Sequence, residues 1–185
     1  MILIRHGAPA ETGVCYGHSD PTLAEPAEQT ARSLPARFAQ RPGPLYCSPS
    51  PRCLAIARAL APADQIMEVE ALRELNFGDW EQRPWSDIDR DALDDWAKQP
   101  LDYCMPGGES GRDLFSRVYA WAMQTPLDEH SIVIAHAGSL RALAATLLEQ
   151  PFEHTWQWPV PYGIALKLNS RGTGFDLWEQ DDQSS

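Results

Sequence analysis

The sequence predicts an α/β domain of three layers, αβα, with a mostly parallel central sheet. Three observations predict it. Short apolar, β-prone runs alternate with amphipathic helical stretches along most of the 185 residues, the pattern of repeated strand–helix–strand units. The runs at 1–4 and 45–47, and the run 131–135 after its first residue Ser131, are apolar throughout, as expected of strands covered on both faces. The residues best suited to chemistry follow directly after such runs, where open α/β sheets collect their sites.

Taken in order, Met1 to Ile4 is a strand that stops at Arg5-His6-Gly7. Pro9, Gly13, Gly17 and Pro21 make residues 7–23 a long loop, a length usually kept for function in compact domains. Ala27, Ala31, Leu34 and Phe38 carry a helix over 24–40, which Pro35 shortens. Residues 45–47 form a strand, after which Ser48 or Ser50 caps a helix over 51–61 with Pro51 in its first turn. A strand at 65–69 leads to an acidic helix over 84–99 containing Trp85, Ile88, Leu93 and Trp96. Pro100 and Pro106-Gly107-Gly108 bound a loop, and a helix follows over 109–123. The clearest strand, 131–135, ends at His136, and Gly138-Ser139 open a helix to 148. Strands at 162–168 and 174–178 make an antiparallel edge hairpin over Ser170-Arg171-Gly172, and 179–185 form a frayed acidic end. With no internal repeat or linker, residues 1–185 read as one domain.

The 26 acidic and 15 basic side chains leave a net charge of −11, which speaks against a nucleic-acid partner, since phosphate backbones reward clustered Lys and Arg. A small phosphorylated ligand in a locally basic pocket remains compatible with it. No stretch reaches the ~20 apolar residues of a membrane helix, and the apolar start is too short for a signal peptide. The expectation is a cytoplasmic protein without a membrane partner. Cys15, Cys47, Cys53 and Cys104 form no C-x-x-C pair, and the five histidines form no H-E-x-x-H. No metal site is expected, and the cysteines read as reduced thiols.

Arg5-His6, Ser48 to Arg52, Arg73-Glu74 and His136 lie after strand ends. They supply two histidines, two or three arginines and a carboxylate. Guanidinium forks match phosphate oxygens, a neutral imidazole can attack phosphorus, and a carboxylic acid can protonate a departing oxygen. Each residue alone is equally an ordinary helix cap, salt-bridge partner or solvated charge.

Together they carry a resemblance. Leu3-Ile4-Arg5-His6-Gly7, Ser48-Pro49-Ser50-Pro51-Arg52, Leu72 to Glu81, Pro106-Gly107-Gly108-Glu109-Ser110 and Ile132 to Gly138 resemble, in order, five blocks of the histidine phosphatase superfamily, the phosphoglycerate-mutase-like enzymes. The resemblance implies that fold, a phosphomonoesterase activity and no cofactor. It implies His6 as nucleophile, Arg5, Arg52 and His136 as phosphoryl-binding groups, and Glu74 as general acid and base, with Asp79 or Glu81 as the alternatives. Gly7 and Gly138 would let backbone approach the phosphate. Where many relatives continue with an acidic residue, a threonine and an asparagine, this chain has Ala8-Pro9-Ala10-Glu11, so loop amides or Ser19 would replace a phosphate donor. Gln82 stands where a glycine is usual, and Ile56 where a threonine is common. Gly13-Val14-Cys15-Tyr16-Gly17 resembles the loop of one subgroup, the α-ribazole phosphatases, and places Tyr16 at the substrate. A broad-specificity phosphatase, a mutase of the same superfamily and a non-catalytic phospholigand-binding module are the alternatives. Trp80, Trp85 and Trp96 either stack on an aromatic leaving group or pin a segment to the core, while Trp156, Trp158 and Trp178 pack the C-terminal hairpin. Glu109 and Ser110 either reach the pocket or cap a helix.

Overall fold

A computed structural model describes residues 1–34, 43–168 and 171–177. Its strands are β1 (Ile2–Arg5), β2 (Leu45–Cys47), β3 (Ile66–Glu68), β4 (Ile132–Ala135), β5 (Ala165–Leu168) and β6 (Phe175–Leu177). They form one sheet in the order β3-β2-β4-β1-β5-β6. The first four are parallel, while β5 runs antiparallel to β1 and β6 antiparallel to β5. The helices are α1 (Ala27–Ser33), α2 (Pro51–Leu60), α3 (Arg90–Lys98), α4 (Gly111–Gln124) and α5 (Ala137–Leu147).

The period-two alternation of strand side chains builds the layers. Ile2, Ile4, Leu45, Cys47, Ile132 and Ile134 pack with Ala27 of α1 and Leu54, Ile56 and Ala57 of α2. Leu3, Tyr46 and Val133 pack on the other side with Leu114 and Val118 of α4 and Leu140 and Leu143 of α5. Each fully buried Ile or Leu contributes roughly 1.5–3 kcal/mol, so the central strands need apolar residues at every position. Ile56 belongs to this packing and is fully buried. Among the described residues, no helix is long and apolar enough to cross a membrane.

Three helices differ from expectation for local reasons, and the strand expected over 162–168 begins only at Ala165, after Gly163 at φ 65°. The helix expected over 84–99 is a single turn at Trp85–Asp87 followed by α3, because Asp89 starts a new helix by accepting from the Ala92 amide at 3.2 Å. The helix expected over 24–40 ends at Ser33; Leu34 is extended, the conformation that a following proline imposes. The helix expected from 109 begins at Gly111, since Ser110 and Asp113 cap each other's backbone at 3.2 and 2.9 Å. Ser50 stands at the N-cap of α2 without a side-chain cap bond. Phe38, Trp178, the hairpin residue Ser170 and the acidic end lie outside the described residues.

The loop after β1 is stitched to the segment after Trp80. The Gln82 and Cys15 amides bond Cys15 O and Arg83 O at 2.8 and 2.9 Å, and the Trp85 amide bonds Gly13 O at 2.9 Å. Gln82 makes this stitch at φ 63°, the left-handed region where a Cβ costs roughly 1–2 kcal/mol. That is why a glycine suits the position. Gln82→Gly should leave the fold intact and raise Tm by about 2–4 °C, the shift that about 1 kcal/mol produces at this size, whereas Gln82→Val should lower it. Thermal unfolding of the two variants checks the sign.

Candidate active site

The parallel register aligns the carboxyl ends of three strands. Arg5 pairs with Ala135, and Cys47 with Ile134. The next residue on each strand is His6, Ser48 and His136. The His6 and Ser48 amides still bond the neighbouring strand, to Ala135 O at 3.1 Å and Ile134 O at 2.9 Å. Both imidazoles thus start from rigid backbone, with ring centroids 5.0 Å apart.

Hydrogen bonds fix both tautomers. His6 Nδ1 lies 2.7 Å from Gly7 O, and facing a carbonyl it must carry the proton. Its Nε2 lone pair points at Arg52 Nε, 3.4 Å away. Burial, then the Arg52 charge, pushes the His6 ring down to about 3 against the pull of the Gly7 bond. A buried imidazole at neutral pH is therefore uncharged and nucleophilic. Arg52 Nη2 lies 3.0 Å from His136 Nδ1; since guanidinium only donates, that nitrogen accepts. Neutral His136 then holds its proton on Nε2, 2.9 Å from Ser48 Oγ, which in turn donates to Ser50 Oγ at 3.2 Å. Burial, followed by the charge of Arg52, holds His136 well below its ordinary value. Cys53 Sγ packs 3.6 Å behind the same Nε2. Cys15, Cys47, Cys53 and Cys104 are all free thiols.

Arg52, only 3% exposed, enters from the first turn of α2. Its five N–H donors reach His6 Nε2, His136 Nδ1, Gly17 O (2.7 Å), Ser19 O (2.8 Å) and Asp20 Oδ1 (2.7 Å). Arg5 donates to Val160 O at 2.8 Å and lies 3.5 Å above the Tyr162 ring, while its Nε is buried without a protein partner. Glu74 faces these cations. Its oxygens accept from the Leu75 and Gly138 amides, both at 3.1 Å. Arg117 of α4 clamps the Glu74 backbone, donating to Ala71 O, Arg73 O and Glu74 O at 2.6, 2.8 and 2.8 Å. Glu109 pairs with Arg117 at 3.0 Å and accepts from the Asn76 amide at 3.0 Å, so Glu109 supports Glu74 from behind. Gly138 is the glycine that this site requires, because a methyl there would run into Glu74 Oε1.

Arg5, His6, Arg52 and Glu74 line a cavity of about 220 Å³ whose other walls are Pro9, Val14, Tyr16, Pro21, Phe77, Trp85 and Tyr162. Asp79 and Glu81 are not on that wall. Tyr16 is, with its hydroxyl donating to Glu11 at 3.2 Å. Ser19 instead turns its hydroxyl to Glu81 and its carbonyl to Arg52. Trp80 is buried against Trp96 and Tyr103, and Trp96 stacks on Trp85 at 6.0 Å and 5°. Of the three tryptophans, only Trp85 reaches the cavity; the other two hold it in place. Trp156 packs on Phe152, and Trp158 on Phe175 of β6. Sequence reasoning missed Asp20, Arg117 and Tyr162. Tyr162 is set by the Gly163 amide, which bonds Arg5 O and His6 O at 3.1 Å; one exposed tyrosine among prolines carries no signal of that long-range contact. Among the described residues, no group of three or more His, Cys, Asp or Glu is placed to hold a metal ion.

The profile of the histidine phosphatase superfamily (branch 1) matches residues 1–182. The chain belongs to that superfamily. It is 28% identical over 183 residues to the adenosylcobalamin/α-ribazole phosphatase of Escherichia coli K12, covering 91% of this chain and 90% of that one. It is 27% identical over 167 residues to a Hydrogenobacter thermophilus protein named provisionally phosphoserine phosphatase 2, covering 84% and 82%. The crystal structure of the α-ribazole phosphatase from Shigella flexneri superimposes with a TM-score of 0.75, at 24% identity over 96% of this chain and 93% of that one. The superposition establishes the shared phosphoglycerate-mutase-like fold, and the family membership together with relatives named as phosphatases makes the chain a phosphatase.

The buried histidines couple the site to stability. The unfolded chain protonates His6 near its ordinary 6.5, whereas the folded one resists until about 3. Folding stability contributed by neutral His6 is therefore complete above 6.5 and is lost as pH falls through that window; His136 acts in the same direction. Urea unfolding between pH 7.5 and 4 should show stability falling with pH, and His6→Gln should flatten that dependence. An equally steep profile in the variant would contradict a neutral buried His6.

Proposed function

We propose that this phosphatase cleaves phosphate monoesters through a phosphohistidine on His6, and that its substrate is α-ribazole 5′-phosphate. The reading rests above all on one observation: the His6 Nε2 lone pair faces Arg52, and both residues line one cavity with Arg5 and Glu74. In the first step Nε2 bonds phosphorus and the ester P–O bond breaks. Glu74, as the general acid, gives a proton to the leaving oxygen. In the second step Glu74 takes a proton from water, the resulting oxygen bonds phosphorus, and the P–N bond breaks to restore neutral His6. Arg5 and Arg52 neutralise the equatorial oxygens throughout, as a phosphoryl transition state requires. Two donors of Arg52, Nε and Nη2, now rest on imidazole nitrogens, and this fork is the one a phosphate would take. The buried, unpartnered Nε of Arg5 supplies a further donor.

The substrate assignment is supported by the Gly13 to Gly17 loop, by the α-ribazole phosphatase relatives and by the aromatic walls Tyr16, Phe77, Trp85 and Tyr162. A flat benzimidazole suits such walls, and each stacking contact is worth roughly 0.5–1.5 kcal/mol beyond area burial. The Hydrogenobacter relative favours phosphoserine as a second reading. Phosphoserine, however, brings an ammonium and a carboxylate, and the cavity's charged groups are the three already assigned to phosphoryl transfer.

Acid-avoiding quench during turnover should trap one phosphoryl group on His6, absent in His6→Ala; label on His136 or a serine would overturn the assignment. On the substrate, kcat/KM for α-ribazole 5′-phosphate should exceed that for O-phosphoserine by about tenfold or more, the ratio that a single good stacking contact approaches. Tyr16→Ala should narrow that gap while sparing a small aryl phosphate. The reverse order of substrates would leave the chemistry and remove the substrate.

A further inference from the structure

Glu81 lies off the cavity wall, yet the loop peptide between the wall residues Tyr16 and Pro21 converges on it. Oε1 accepts from the His18 amide at 2.8 Å and the Phe77 amide at 3.1 Å. Oε2 accepts from the Gly17 and Ser19 amides, both at 3.0 Å, and from the Ser19 hydroxyl. Three consecutive amides on one carboxylate fix residues 17–19 in a single curl. Burial opposes the charge on Glu81, but the Ser19 hydroxyl and these amides overcome it and hold the carboxyl below its ordinary range. Gly17 has no room for a side chain here, because a methyl would meet Leu75 O and Glu81.

Two of these three residues, Gly17 and Ser19, present their carbonyls to Arg52. Gly17 O takes Nη2 at 2.7 Å, Ser19 O takes Nη1 at 2.8 Å, and Asp20 follows immediately with its carboxylate at 2.7 Å. A guanidinium is planar, so anchoring the outer edge of Nη1 and Nη2 sets the direction of the inner Nε–Nη2 edge. That inner edge faces His6 and His136. We infer that Glu81 is a positioning residue for Arg52, holding the 17–19 curl so that the guanidinium fork is aimed at the phosphoryl group without Glu81 touching substrate. The inference rests on Arg52 as the phosphoryl-binding arginine of the proposed reaction.

Glu81→Gln keeps the shape but presents an NH2 to amides that already donate, whichever oxygen it replaces. The test compares wild type, Glu81→Gln, Arg52→Ala and the double variant, using an activated aryl phosphate as substrate and vanadate as a mimic of five-coordinate phosphorus. Glu81→Gln should weaken vanadate inhibition by about tenfold and lower kcat/KM in parallel, while adding less than about twofold in the Arg52→Ala background, as expected when two residues act through one contact. Asp128→Ala, at the opposite end of the sheet, removes the Oδ1 acceptor shared by the His130 and Ser131 amides; it should lower Tm with vanadate inhibition unchanged, separating aim from stability. Should Glu81→Gln fail to fold, Ser19→Ala removes one of the five donors and should show a smaller weakening, again only when Arg52 is present. Wild-type vanadate inhibition in the folded Glu81→Gln protein, or a full effect persisting without Arg52, would overturn the inference. If Arg52→Ala alone leaves vanadate inhibition unchanged, the role of Arg52 in the proposed reaction falls instead, and the positioning role falls with it.

Discussion

The structure turns on a buried guanidinium whose donors are all engaged. Desolvating an arginine costs several kcal/mol unless its donors are met, and Arg52 meets that cost with two carbonyls, a carboxylate and two imidazole nitrogens. Those partners come from the loop after β1, the strand end of β1 and the start of α5. Satisfying one side chain therefore ties three distant stretches of chain together at the carboxyl edge of the sheet. After burial itself, it is also what keeps both histidines uncharged, since a fixed positive charge within hydrogen-bond reach opposes a second. A neutral His6 is what the proposed reaction requires of its nucleophile.

A second principle runs through the surroundings: carboxylates outside the cavity hold the backbone of the groups inside it. Glu81 gathers the amides of residues 17–19 behind Arg52, and Glu109 with Arg117 gathers the 71–76 segment behind Glu74. Long loops pay conformational entropy to be ordered, and here multiple charge-assisted bonds to main-chain groups offset it. The division also explains why three nearby acids differ in role. Glu81 and Glu109 spend their oxygens on donors away from the cavity, and Glu74 lines it.

Much of this was legible in the residues. Strands apolar on both faces gave the parallel sheet, and the strand-end positions of His6 and His136 followed from it. The ordered blocks located Arg5, Arg52 and Glu74 as well. Gln82 stands in the sequence where the resemblance leads one to expect glycine, and its positive φ supplies the physical reason that glycine suits the position. Illegible were contacts whose partners are far apart in sequence and individually ordinary. Tyr162 beneath Arg5 and Asp20 beside Arg52 depend on where β5 and the 7–23 loop return to the site, which periodicity does not encode. Element boundaries failed where one residue outweighed the pattern, as Asp89 does in restarting α3.

The arrangement of Arg52 also bears on what binding must displace. Three of its contacts are to oxygens on the loop, between 2.7 and 2.8 Å, and two are to neutral ring nitrogens at 3.0 and 3.4 Å. Charge-assisted bonds to anionic oxygen are shorter and roughly twice as strong as neutral ones. In the proposed reaction an arriving phosphate therefore gains most by taking the two imidazole-facing donors and leaving the loop contacts in place. The exchange costs the protein its two weakest Arg52 contacts, frees the His6 lone pair for attack, and keeps the guanidinium plane where the loop has set it. In that reaction, pairing of Arg52 with His6 protects a buried charge in the absence of substrate and is surrendered at the moment when phosphate oxygens can replace it.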